Sequence, residues 1–173
     1  MKFLEQFTLI TDIIFGLMIL LYLYQIVYIA VSMFKRKVPK LPDAKKNHRY
    51  AIFISARNEK GVIGELLDSL RNQTYPDEMY DMYVVADNCT DETAAVARQH
   101  GAIVFERFNQ EEVGKGYALN FLYHNVIERK GEDYYEAFMV FDADNIIDKN
   151  FLREVNKTFD TGEFDAMTTY RNS

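Results

Sequence analysis

From Ile13 to Phe34 the chain runs IIFGLMILLYLYQIVYIAVSMF with no charged side chain, and only Gly16, Gln25 and Ser32 interrupt the apolar residues. About 22 residues at about 1.5 Å each make about 33 Å of helix, enough to cross the hydrocarbon core of a bilayer. A buried core helix would be shorter and would keep a polar face. A cleaved signal peptide would have a shorter apolar core with its positive charges ahead of it. The pattern therefore predicts a single transmembrane anchor within residues 1–37. Pro39 and Pro42 then fall among lysines, which reads as a linker over residues 38–48.

From Tyr50 the pattern changes to short apolar runs separated by stretches of helical period. Strands are expected at Tyr50–Ser55, Met82–Ala86, Ala102–Phe105, Ala137–Phe141 and Ala166–Tyr170. They read as continuous apolar runs, the pattern of strands covered on both faces. Between them Ile63, Leu66, Leu67 and Leu70 repeat at i, i+3, i+4 and i+7, as do Leu119, Leu122, Tyr123 and Val126. Thr90 is placed to cap a helix through Ala94–Ala97 that stops at Gly101, and Leu152, Val155 and Phe159 mark another that ends near Gly162. Strand and helix alternating in this way predict an α/β fold, a mostly parallel sheet flanked by helices.

Charge and cysteine content narrow the function. A net charge of −6 argues against a nucleic-acid partner. Cys89 is the one cysteine, so neither a disulfide framework nor a cysteine-rich zinc site is available, and His48, His100 and His124 have no metal-ligand spacing. The basic residues are uneven: Lys35, Arg36, Lys37, Lys40, Lys45 and Lys46 follow the apolar helix, and Lys2 alone precedes it. By the positive-inside tendency the C-terminal part is expected in the cytoplasm, tethered to the membrane.

Open parallel sheets bind ligands beyond the carboxyl ends of their strands, and unusual polar clusters follow the expected strands. They are Ala56–Glu59, Asp87–Glu92, Glu112–Asn120 and Asp142–Asn145. In extended backbone Asp142 and Asp144 would point the same way, about 6 to 7 Å apart, and repel by about 2.5 kcal/mol at an effective dielectric near 20. A hard divalent cation, Mg²⁺ or Mn²⁺, would turn that repulsion into attraction, with phosphate oxygens and waters completing its shell. Lys115, between Gly114 and Gly116 at a helix start, suits an anion. Asp87 lies where an acid can accept hydrogen bonds from a ribose or base. Each motif alone also has a plain reading: a solvated acidic turn, a helix entry with a free lysine, a loop acid before a helix. No Walker loop or dinucleotide fingerprint is present.

As a set, Ser55-Ala56-Arg57-Asn58-Glu59, Asp87-Asn88-Cys89-Thr90-Asp91, Lys115-Gly116-Tyr117-Ala118-Leu119-Asn120 and Asp142-Ala143-Asp144 resemble the family 2 glycosyltransferases of the GT-A fold. The resemblance covers about residues 49–171, within an expected domain of residues 49–173. It implies that Ala56, Arg57 and Glu59 line a nucleotide pocket and that Asp87 holds the base, most often uracil. It further implies that Lys115 lies near the diphosphate, Asp142 contacts the ribose side or the metal, and Asp144 binds the metal. The implied reaction is inverting transfer from a UDP-sugar to a polysaccharide or lipid acceptor at the cytoplasmic membrane face. The membrane helix before the domain is similar to that of polysaccharide synthases and glycolipid-forming members.

The family's general base lies well downstream of its D-x-D segment, so here it is expected beyond residue 173, and these residues are expected to be the donor-binding part of a longer chain. Two other readings compete. A sugar nucleotidyltransferase would want a glycine-rich basic loop after the first strand, which ARNEKGVIGE only faintly resembles. A catalytically inactive nucleotide-sugar-binding partner would share the metal-dependent UDP binding and lack transfer.

Overall fold

The computed structural model describes residues 2–33 and 41–169, and the chain divides into two compact units, Met1–Lys40 and Leu41–Ser173. The first is one helix, α1 (Lys2–Met33). Its stretch Leu4–Ser32 is long and apolar enough to cross a membrane, the one such helix among the described residues. The helix starts well before Ile13 and carries Glu5 and Asp12 within it, because an isolated charge does not interrupt the i→i−4 backbone bonds. Thr8, Thr11 and Ser32 donate their hydroxyls to the carbonyls of Leu4, Phe7 and Ile29 at 2.8–2.9 Å. The helix thereby satisfies its own hydroxyls along a surface of apolar side chains. Phe34, the basic run at 35–37 and the first part of the expected linker, through Lys40, lie outside the described residues.

The second unit is built on a four-stranded parallel sheet in the order β3-β2-β1-β4. Its strands are β1 (Tyr50–Ala56), β2 (Tyr80–Asp87), β3 (Ile103–Arg107) and β4 (Ala137–Asp142). The helices are α2 (Ile63–Arg71), α3 (Thr93–Gln99), α4 (Lys115–Lys130) and α5 (Phe151–Phe159). Alternation along β1 divides the core in two. Tyr50, Ile52, Ile54 and Ala56 pack with Leu66, Leu67 and Leu70 of α2, Ala97 of α3 and Leu152 of α5. Ala51 and Phe53 pack on the other face with Tyr83, Val85 and the Ala118, Leu122 and Val126 stripe of α4. The chain thus steps outward from β1 to β3 along one face, then returns over the other through α4 to lay β4 on the far side of β1. The strand order reverses between β1 and β4, the switch point at which open α/β sheets form their crevice.

Helix ends follow local chemistry. Gly101 sits at φ +86°, and the amide of Ala102 reaches the carbonyl of Ala97 at 3.1 Å, closing α3 as the sequence predicts. The expected cap, Thr90, does not cap the helix: Glu92 holds the N-cap position without a side-chain bond, and Asp91 just before it accepts through Oδ1 from the Thr93 amide at 3.0 Å and from its hydroxyl. The Thr90 amide and hydroxyl instead donate to the Asn58 side chain. Gly64 of α2 faces His100, and a Cβ there would lie 2.9 Å from the imidazole, so the glycine lets α2 and α3 approach closely.

The fifth strand expected at Ala166–Tyr170 requires correction. Residues 166–169 form no strand and lie exposed, and Tyr170 falls outside the described residues. Strand propensity without a partner's hydrogen-bond ladder does not hold a segment extended in water. The expectation that the strands are covered on both faces holds for β1 and not for β4, where Val140 is 51% exposed.

Residues 45–48, expected in the linker, are bonded into the body. His48 is buried, its Nδ1 2.7 Å from Glu136 and its Nε2 3.0 Å from Asp160. Buried Asn156 gathers this corner: its Oδ1 accepts from the His48 amide and the Tyr50 and Tyr75 hydroxyls, and its Nδ2 donates to the Lys46 carbonyl. Among the described residues no buried side-chain nitrogen or oxygen lacks a partner.

Candidate functional site

The four polar clusters all follow carboxyl ends of parallel strands, so the sheet carries them to one edge. Asp87, the last residue of β2, is 3% exposed. Its Oδ2 accepts from Arg57 Nη2 at 3.1 Å and its Oδ1 from Arg107 Nη1 at 2.7 Å, while Arg57 Nε donates to its carbonyl at 3.2 Å. Two guanidinium groups pair with this buried carboxylate and aim it; a buried charge without such partners would be strongly unfavourable. Arg107, the last residue of β3, also donates through Nη2 to the carbonyl of Glu112 at 2.9 Å and to its carboxylate at 3.3 Å. It therefore ties Asp87 to the loop that leads into α4.

The loops after β1 and β2 are stapled together. The Cys89 thiol donates to the carbonyl of Ala56 and accepts from the amide of Asn58, both at 3.4 Å. The Glu59 amide donates to Thr93 Oγ1 at 2.8 Å. Lys60 and Glu92 form an exposed ion pair at 2.6 Å, which raises the lysine pKa and lowers that of the carboxyl. Asp91 is likewise held below its ordinary value, first by the Thr93 hydroxyl. Asn58 and Asn88 both adopt positive φ, +56° and +52°, a conformation asparagine tolerates better than most side chains. The Asn88 side chain exchanges two bonds with the backbone of Asn109, at 2.8 and 2.9 Å. These bonds extend the β2–β3 pairing one step beyond the strands.

On the other side of the switch point, β4 ends at Asp142, paired in register with Ser55 of β1. Lys115, the first residue of α4, donates its ammonium to Asp142 Oδ1. Beyond Asp142 the chain turns at once, with the Asn145 amide on the Asp142 carbonyl at 3.2 Å. The extended backbone expected for Asp142 and Asp144 is thus a turn, which leaves Asp144 exposed and Ala143 buried. An open cavity of about 550 Å³ lies beside the start of α4, lined by Val113, Gly114, Gly116, Tyr117 and Asn120.

The structure joins Arg57 with Asp87 and Lys115 with Asp142. Ala56 is 1% exposed in the core, so its contribution to the edge is its carbonyl, and that accepts from Cys89. Glu59, half-buried, caps α2 through its carbonyl, which accepts from the amides of Val62 and Ile63. The sequence reading missed Arg107 and gave no role of their own to Asn88 and Glu112 within the clusters that hold them. A charged residue closing an otherwise apolar strand was the available signal for Arg107, since strand ends in such sheets form the ligand edge.

Of the two carboxylates expected to hold a cation, Asp142 is paired with Lys115 and Asp144 lies exposed past the turn; Mg²⁺ or Mn²⁺ held there would need water and phosphate oxygens to complete its shell. Among the described residues no group of three or more histidine, cysteine or acidic side chains could hold a metal by itself, which does not fit a closed zinc centre.

The parallel sheet flanked by helices, its strand order reversing between β1 and β4, is a GT-A-like α/β fold. A family model described as "Glycosyltransferase like family 2" matches residues 48–173, and the chain belongs to that family. It is 30% identical over 125 residues to the beta-monoglucosyldiacylglycerol synthase of Synechocystis sp., covering 67% of this chain and 24% of that enzyme. A 4,4'-diaponeurosporenoate glycosyltransferase of Staphylococcus aureus is 44% identical over 72 residues, 41% of this chain and 18% of its own length. The chain thus spans about a quarter of the length of the synthases it matches. Among solved structures, S. aureus TarS superposes with a TM-score of 0.54 at 22% identity, over 65% of this chain and 32% of that one. The mannosyltransferase PcManGT from Pyrobaculum calidifontis, in complex with GDP-Man and Mn²⁺, gives 0.50 at 25% identity, over 72% and 34%.

Proposed function

We propose that residues 49–173, with residues 45–48 bonded to them, form the donor-binding domain of a glycosyltransferase held at the cytoplasmic membrane face by α1. The donor is a nucleotide sugar, UDP-linked by the family resemblance, and the acceptor a lipid or polysaccharide. The observation that carries this reading is the buried Asp87 held between Arg57 and Arg107 on the same sheet edge as Asp142 and Lys115. Such an edge offers a fixed acceptor for a base on one side and a set of charges suited to a diphosphate on the other.

In this reading Asp87 receives the base, and Arg57, with Ala56 and Glu59, borders the nucleotide. Lys115 and the amides at the start of α4 face the diphosphate. Asp142 and Asp144 hold Mg²⁺ or Mn²⁺. The bound cation would neutralise the diphosphate and stabilise charge on the departing nucleotide. Inversion needs a base to take the acceptor's proton, and that residue is expected beyond residue 173. The Mn²⁺ and GDP-Man of the mannosyltransferase support a metal and a nucleotide sugar. The diacylglycerol and diaponeurosporenoate names of the relatives support a lipid acceptor.

The test is calorimetric titration of the full chain in detergent with UDP and GDP, with and without Mn²⁺, followed by assay for transfer of labelled sugar. UDP binding that needs Mn²⁺ and is lost in Asp144→Asn is the expected result. Nucleotide binding that is indifferent to metal and to that substitution refutes the site. Binding without transfer favours a nucleotide-sugar-binding part that acts with further sequence or a partner subunit.

A further inference from the structure

The proposed site assigns Lys115 to the phosphates and Asp142 to the metal, yet the free protein pairs the two with each other. The ammonium lies on one oxygen, Oδ1, of the carboxylate proposed to hold the divalent cation, so two cations compete for the charge of a single side chain. The surroundings let the lysine move. Its side chain is 45% exposed and that of Asp142 42%. The flanking glycines leave space: a Cβ built on Gly114 or Gly116 would meet no heavy atom within 4 Å. Gly114 at φ +136° needs glycine for its backbone, whereas Gly116 lies inside α4, where glycine is unfavourable and no neighbour requires it. An exposed ion pair is weak, so the cost of releasing it is small.

We propose that Lys115 is a two-position cation: it is the counter-ion of Asp142 in the free protein and transfers to the diphosphate when metal and nucleotide bind. The inference rests on the proposed donor site and adds a consequence of its own. Metal alone competes with the ammonium for the Asp142 carboxylate, whereas metal arriving with a diphosphate gives the ammonium a new partner. Mn²⁺ and nucleoside diphosphate therefore bind with positive coupling through this side chain, and the coupling is reciprocal. Lys115 acts here on the order and cooperativity of binding as well as on affinity for phosphate.

The experiment measures Mn²⁺ affinity of the full chain in detergent by electron paramagnetic resonance of the free ion, with and without UDP, in wild type, Lys115→Gln, Lys115→Arg and Asp144→Asn. Lys115→Gln is expected to bind Mn²⁺ alone a few-fold more tightly than wild type, in line with the loss of an exposed ion pair. It is also expected to lose part of the tightening that UDP produces, the part not carried by phosphate oxygens on the cation. Lys115→Arg, which keeps the charge, retains both behaviours. Unchanged Mn²⁺ affinity in Lys115→Gln, or undiminished coupling to UDP, overturns the proposal. A wild-type chain that holds no Mn²⁺ even with UDP, or an Asp144→Asn chain that binds it as wild type does, instead refutes the underlying donor site whatever Lys115 does.

Discussion

Arg107 Nη1 lies 2.7 Å from Asp87 Oδ1, and both side chains are 5% exposed. The pair closes β2 against β3 at the ligand edge, and the same guanidinium holds the loop that carries Glu112 toward α4. Removing the arginine leaves a buried carboxylate with Arg57 as its one charged partner among the described residues and a 3.3 Å bond from Asn88 Nδ2. Arg107→Ala is expected to destabilise the second unit by about 3 kcal/mol or more, read by guanidinium unfolding followed through tyrosine near-ultraviolet dichroism. Asp87→Asn keeps the shape and removes the charge, and is expected to weaken UDP binding with a smaller loss of stability.

Asn88 combines a positive φ with a side chain that pairs twice with Asn109. Glycine relieves the backbone and loses the bonds; alanine loses the bonds and keeps the strain. Asn88→Ala is therefore expected to be less stable than Asn88→Gly by about 1 kcal/mol, and hydrogen exchange at the amides of Asn88 and Asn109 should rise in both.

Partial burial pushes the Glu136 carboxyl up, but hydrogen bonds from Lys46, His48 and the Arg49 amide outweigh it and hold it at about 2. The folded value lies below the ordinary carboxylate value, so this group's stabilisation is complete above about pH 4.5 and is lost as pH falls toward 2. Asp160, lowered by the Lys45 amide and by His48, contributes with the same sign. Unfolding midpoints of Glu136→Gln measured across that window should fall less steeply than those of wild type, and the two slopes should agree above pH 5.

Gly64→Ala places a methyl group 2.9 Å from the His100 imidazole, which is itself held by Asp68 at 2.7 Å. Crowding should outweigh the helix preference for alanine and cost about 1 kcal/mol. In a His100→Ala background the same change should become neutral or stabilising, so a double-mutant cycle in guanidinium reads the contact directly.

Val140→Ala should cost less than about 1 kcal/mol, whereas Ile54→Ala, fully buried on the neighbouring strand, should cost about 2 to 5 kcal/mol. Equal losses would mean that β4 is covered in solution.

The sequence alone determined the order and nature of the elements. Apolar runs at 50–55, 82–86 and 137–141 and helical stripes at 63–70 and 119–126 depend on neighbours a few residues apart, so their period reads directly. It also determined that acids and a glycine-flanked lysine follow strands, because turn chemistry is local. Tertiary structure alone decided which of them meet. Strand order and register bring Arg107 to Asp87, twenty residues apart, and Asn156 to His48, at a separation of 108. No local pattern encodes such pairs, since they form only once two crossovers have set the strands side by side. For the same reason the expected fifth strand did not form and the extended pair of aspartates became a turn: a strand exists through its partner, and residues 166–169 have none among the described residues.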